Sequence, residues 1–159
     1  MTRHGNPGLR AIAFITVICA LFMAPPLPGA TLVVANKSEA TATLIDLETG
    51  GVIATLPTGE APHEVGISPD GRSALVSNYG NRQSAGNSLT LIDIHSASVV
   101  KTIDLGDYLS PHGVEWLDDH RAAVSVEGSQ ALIVVNVTKG EVEQVIGTDQ
   151  DISHMVALD

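Results

Sequence analysis

At 159 residues the chain is long enough for one domain with a sizeable core, and 44% of it is apolar. Aromatic residues make up only 3%, so that core must rest on Val, Ile, Leu and Ala, which suit a pleated, half-buried surface. A formal net charge of -10 repels phosphate backbones and anionic membranes and argues against a nucleic-acid partner.

The first thirty residues do not read as part of a fold. Arg3, His4 and Arg10 form a basic start, the uncharged run Ala11 to Ala24 follows, and PPLPGA ends at Ala30. Basic, apolar and small-residue stretches in that order predict a secretory signal peptide over residues 1–30. The apolar run is shorter than the roughly twenty residues that a membrane-spanning helix needs, so no stable span is expected after cleavage. Export to the periplasm or cell surface follows. The single cysteine, Cys19, lies in this leader, which leaves the mature chain without disulfide or thiolate chemistry.

From Thr31 onward, short apolar runs alternate with Gly, Pro, Asn and Asp clusters, the pattern of an all-β domain. Internal similarity narrows the choice. The segment from Ala42 to Ser68 recurs from Leu89 to Leu117 and again, more worn, from Ala131 to Leu158. Asp46, Asp93 and Asn136 close equivalent strands; Gly59, Gly106 and Gly147 follow another; His63, His112 and His154 open a third. A unit of forty-odd residues with four short strands predicts β-propeller blades, whose apolar faces are sheltered by stacking on neighbours. Ser68-Pro69-Asp70-Gly71 reads as a tight turn, Leu117 to His120 as its drifted counterpart, and Asn81 to Asn87 as a longer loop.

The run PHEVGISPDGRSALVSNYG from Pro62 to Gly80, followed by SLTLIDI and VVKTIDLG, resembles the YVTN-type β-propeller repeat family. The YVTN position reads LVVAN at Leu32 to Asn36, ALVSN at Ala74 to Asn78 and AAVSV at Ala122 to Val126. The resemblance covers residues 31–159. It implies four-stranded antiparallel blades, with the strand after each "PH" position lining a central channel. Two complete blades are expected, Pro62 to Gly106 and Pro111 to Gly147, with three strands before them and one, His154 to Leu158, after. Those twelve strands amount to about three blades. Closed propellers have four to eight, so an open or incomplete ring is expected: a truncated family member, one that self-associates through its open blade faces, or an arc that stands alone or with a partner chain.

By the family's geometry His63, His112 and His154 would rim the channel mouth. Neutral imidazoles there could take a metal ion or an anionic ligand, although a Pro-His start also suits an inner strand for purely structural reasons. Glu64 and Glu115 lie near the first two histidines and could add carboxylates, and Asn36 and Asn78 end equivalent strands on the same side. His95 and His120 fall in turns and have no repeat partner. Nucleophile-elbow, haem-attachment and His-Glu-x-x-His motifs are lacking, so no catalytic residue is assigned. The leading expectation is an exported, non-enzymatic binding or scaffold module for a protein or small-molecule ligand, without a cofactor unless the histidine rim holds a metal. The alternative is a fragment of a lactonase-like or metal-dependent propeller enzyme.

Overall fold

The computed structural model describes residues 29–150, together with Met1 and Ala157. Most of the expected leader, and all but Ala157 of the expected inner strand from His154 to Leu158, lie outside the described residues. Within them the chain is all β, with eleven antiparallel strands in three sheets. The first sheet holds β1 (Thr31–Asn36), β2 (Thr41–Asp46) and β3 (Val52–Pro57). The second holds β4 (Pro62–Ile67), β5 (Ser73–Gly80), β6 (Ala85–Asp93) and β7 (Ser98–Asp104). The third holds β8 (Pro111–Trp116), β9 (Arg121–Val126), β10 (Ala131–Asn136) and β11 (Glu141–Gly147). Each four-stranded sheet is a plain up-and-down meander starting at a Pro-His pair, as the repeat pattern predicts.

Side-chain alternation gives the middle sheet two apolar faces, and each is covered by a neighbour. Ala74, Val76 and Ile92 on one face pack with Ala42 and Leu44 of the first sheet. Leu75, Leu89, Leu91 and Ile103 on the other pack with Trp116, Val124, Val126, Ile133 and Val135 of the third. Burying a side chain of this size contributes roughly 1.5–3 kcal/mol, so these two seams hold the sheets together. The inner strands are also pinned directly. The Trp116 indole donates to the carbonyl of Gly66 (3.0 Å), and Ser77 Oγ donates to the carbonyl of His112 (2.8 Å).

Turn chemistry follows the sequence closely at Ser68 to Gly71. The Gly71 amide donates to the Ser68 carbonyl (2.8 Å), Gly71 takes a φ of 71°, and Asp70 accepts from Ser68 Oγ (2.6 Å) and the Arg72 amide (3.0 Å). In the drifted copy the Asp118 carboxylate holds the turn, accepting from the amides of His120 and Arg121 (2.8 Å each), while the Leu117 amide donates to the Arg121 carbonyl (2.9 Å). The loop expected over Asn81 to Asn87 is shorter than its composition suggests, because β6 begins at Ala85. Gly80, at φ 82°, and Gly86 let the two backbones approach so closely that a Cβ on either would fall 2.0 Å from a main-chain atom. The strands therefore keep pairing into what reads as loop sequence.

Candidate functional site

The site is built where β4 and β8 begin. In both sheets the register slips at this point: Pro62 pairs with Asn78 and Val65 with Val76, while Pro111 pairs with Val126 and Val114 with Val124. Two residues of the inner strand thus oppose one residue of its neighbour, which is a β-bulge, and bulges re-aim side chains. Ser77 and Ser125 fill the gaps by accepting from the stranded amides of Glu64 (3.0 Å) and Gly113 (2.9 Å). The residues before the prolines, Ala61 and Ser110, take left-handed backbones at φ 49° and 54°. Their carbonyls accept from the amides of Tyr79 (3.2 Å) and Glu127 (3.1 Å). A non-glycine residue in that region costs on the order of 1–2 kcal/mol, and the strain sits immediately ahead of each Pro-His pair.

The bulges bring His63 and His112 together, with ring centroids 4.1 Å apart and ring planes tilted by 43°. Tyr79 completes the cluster, 5.3 Å from His63 and edge-on to His112 at 5.5 Å. Its hydroxyl donates to Glu127 Oε2 (2.7 Å), and Glu127 Oε1 lies 4.0 Å from His112 Nε2. Lys37 Nζ stands 5.4 Å from the centre of the Tyr79 ring, within range of a cation–π attraction. Burial holds the His63 imidazole below its ordinary pKa, helped by His112 and Lys37 and opposed by Glu64. The hydrogen bond to Glu127, then burial, pushes the Tyr79 phenol above its own.

Lys37, Tyr79 and Glu127 occupy one equivalent position, the residue after Asn36, Asn78 and Val126 in successive sheets. They form a row across all three sheets, from cation to phenol to carboxylate. The sequence reading missed this row. Beside it opens a cleft of about 780 Å³ lined by Lys37, Glu60, Ala61, Tyr79, Arg82 and Ser110.

The residues expected to form the site do not all come together. His63, Glu64 and His112 come together, and one ligand atom from each lies within 4.8 Å of the others. Glu115 does not join them. It pairs with Ala123 and stands in its strand where Gly66 stands in β4, three residues past the histidine and beyond the bulge. Asn36 and Asn78 turn their amides into their own sheets. Asn36 Nδ2 donates to Thr41 (3.0 Å) and Thr43 (2.7 Å), and Asn78 Nδ2 donates to Ser88 and Thr90 (3.0 Å each) while its Oδ1 accepts from the Gly59 amide (3.1 Å). His154 lies outside the described residues. His120 Nδ1 is 3.2 Å from Thr138 Oγ1 in an exposed turn, and His95 is likewise a turn residue.

Antiparallel four-stranded sheets, stacked face to face with their first strands adjacent, define a protein built of propeller blades. The chain belongs to the YNCE-like beta-propeller family, which residues 28–123 match. Solved structures similar to it include the hydrazine synthase of Kuenenia stuttgartiensis, 25% identical with a TM-score of 0.68 over 88% of this chain and 42% of that one. The dihydro-heme d1 dehydrogenase NirN in complex with DHE is 23% identical, with a TM-score of 0.63 over 86% of this chain and 29% of that one. The WD40 repeats of RRP9 are 18% identical, with a TM-score of 0.61 over 76% and 36%. The chain thus spans less than half of each of these structures. No curated protein matches it.

Proposed function

We propose that the chain is an exported, non-enzymatic propeller module of the periplasm or cell surface that binds a small polar ligand where its inner strands begin. The observation that carries this reading is the His63–His112–Tyr79 cluster, with Lys37 at one end and Glu127 at the other. Stacking rings, a cation and a carboxylate drawn from three sheets can grip a ligand by face and by charge. The same groups are poorly matched to covalent catalysis. The phenol is held in its protonated form, and the Ser77 hydroxyl beneath the histidines is engaged with the main chain at Glu64 and His112. The basic, apolar and small-residue order of residues 1–30 supports export, and no helix among the described residues is long and apolar enough to cross a membrane.

The test is equilibrium dialysis of the purified full chain against the small-molecule fraction of a periplasmic extract. The expected result is saturable retention of one compound class, lost in Tyr79→Ala and His112→Ala. Retention indifferent to both changes would remove the site. Turnover of the retained compound by the pure protein would overturn the non-enzymatic assignment. N-terminal sequencing of the envelope fraction checks export, which predicts a start near Thr31.

A further inference from the structure

We infer that His63, Glu64 and His112 form a binding site for a divalent transition-metal ion of the zinc, copper or nickel class. The inference rests on reading the inner-strand cluster as the ligand site and names the chemistry that the site takes.

Regular strand alternation would send His63 and Glu64 to opposite faces of the sheet. The bulge between Pro62 and Val65 breaks that alternation, and His63 Nδ1 comes to lie 3.6 Å from Glu64 Oε1. This is too long for a good hydrogen bond but suits two atoms that share an ion. His63 Nδ1 is buried and makes no hydrogen bond among the described residues. A buried nitrogen left in that state costs free energy that an ion would recover. The matching bulge in the third sheet supplies His112 from the neighbouring blade, and the three ligand atoms lie within 4.8 Å of one another. Bonds of about 2.0–2.2 Å to nitrogen and oxygen require ligand atoms somewhat closer than that, so small side-chain rotations close the site.

The donor set fixes the class of ion. Two imidazoles and one carboxylate are borderline ligands that favour zinc, copper or nickel over calcium and magnesium, which prefer all-oxygen cages. Three protein ligands leave a coordination position open to water or to a ligand's own donor atom. Glu127, 4.0 Å from His112 Nε2 and itself held by the Tyr79 hydroxyl, stands where a carboxylate commonly orients a metal-bound imidazole. Gly113, the counterpart of Glu64, contributes no second carboxylate, so the site is a single three-ligand centre astride the seam.

The experiment uses untagged full-length protein stripped with a chelator, then loaded with Zn²⁺ or Co²⁺ and read by elemental analysis, titration calorimetry and the visible spectrum of Co²⁺. The expected result is about one ion per chain. Affinity should fall by more than about 100-fold in His63→Ala and in Glu64→Gln, beyond what loss of an outer partner costs. Both altered residues are partly exposed, so circular dichroism and melting should stay close to wild type. His95→Ala, in a distant turn, should bind as wild type does. Absence of a bound ion, binding unchanged in both variants, or a preference for Ca²⁺ or Mg²⁺ would overturn the inference. If no metal binds while dialysis still retains an organic compound through Tyr79, the metal assignment fails alone and the ligand-site reading stands.

Discussion

Tyr79 joins the two charged ends of the inner cluster through one hydroxyl. Replacing it with Phe keeps the ring against His63 and His112 and under Lys37, and removes only the donor to Glu127. A hydrogen bond to a buried carboxylate stabilises by about 1.5–3 kcal/mol, so Tyr79→Phe should lower unfolding free energy within that range at an unchanged denaturant slope. An effect below about 0.5 kcal/mol would show that the bond is incidental. The two strand-ending asparagines make a second comparison. Asn78 is fully buried and serves Ser88, Thr90 and the Gly59 amide, whereas Asn36 is only half-buried and serves two threonines. Asn78→Ala should therefore cost about 2–3 kcal/mol and Asn36→Ala about 1 kcal/mol in chemical denaturation; equal costs would contradict the structural role assigned to Asn78. The histidines were legible in the sequence because the same residue type recurs at the same landmark. The row Lys37, Tyr79 and Glu127 was not, because a cation, a phenol and a carboxylate share one place in the repeat without sharing a chemistry.

At the scale of strands and turns, the bulges explain why Glu64 and Glu115 part company. Each glutamate stands close to a histidine in sequence, but only Glu64 falls inside the register slip. Regular alternation is what sequence reasoning assumes, and a bulge is a departure from it that leaves no strong mark in composition. The order of the eleven described strands was legible for the opposite reason: a repeated apolar pattern with turn residues between copies states it several times over. Four turn carboxylates show how such turns are held. Asp93 accepts from the amide (2.7 Å) and hydroxyl (3.0 Å) of Ser96, and Asp46 does the same with Thr49. These bonds lower the carboxyl pKa of both residues below the ordinary value of 3.8, with the backbone bond the leading cause; Asp70 and Asp118 are also lowered. A carboxylate lowered in the folded state stabilises it above the unfolded value, and that stability is lost as pH falls through the folded value. Asp93→Ala should accordingly melt earlier than wild type at neutral pH, and the gap should narrow once pH drops below 3.8. A gap that stays constant into stronger acid would mean that the ionised carboxylate contributes nothing there.

Across the whole molecule, the middle sheet is the only one of the three covered on both faces by another sheet among the described residues. Blade stacking of this kind makes stability a sum of sheet terms and nearest-neighbour seams. The seam between the second and third sheets is the larger cluster and adds the Trp116 and Ser77 bonds, while the seam between the first and second rests on fewer buried side chains. Leu44, wholly buried, belongs to the smaller seam, and Ile133, also wholly buried, to the larger. Either residue changed to Ala leaves a cavity and should cost about 2–5 kcal/mol. The two side chains share no cluster, so the double variant should lose the sum of the single losses to within about 0.5 kcal/mol. Leu89 and Ile133 lie in one seam, and their double variant should depart from additivity as the common cavity relaxes around both. Chemical denaturation of the five proteins and the parent checks this. Coupling between Leu44 and Ile133 as strong as that between Leu89 and Ile133 would show that the middle sheet transmits strain from face to face, and a nearest-neighbour account of the arc would then be wrong.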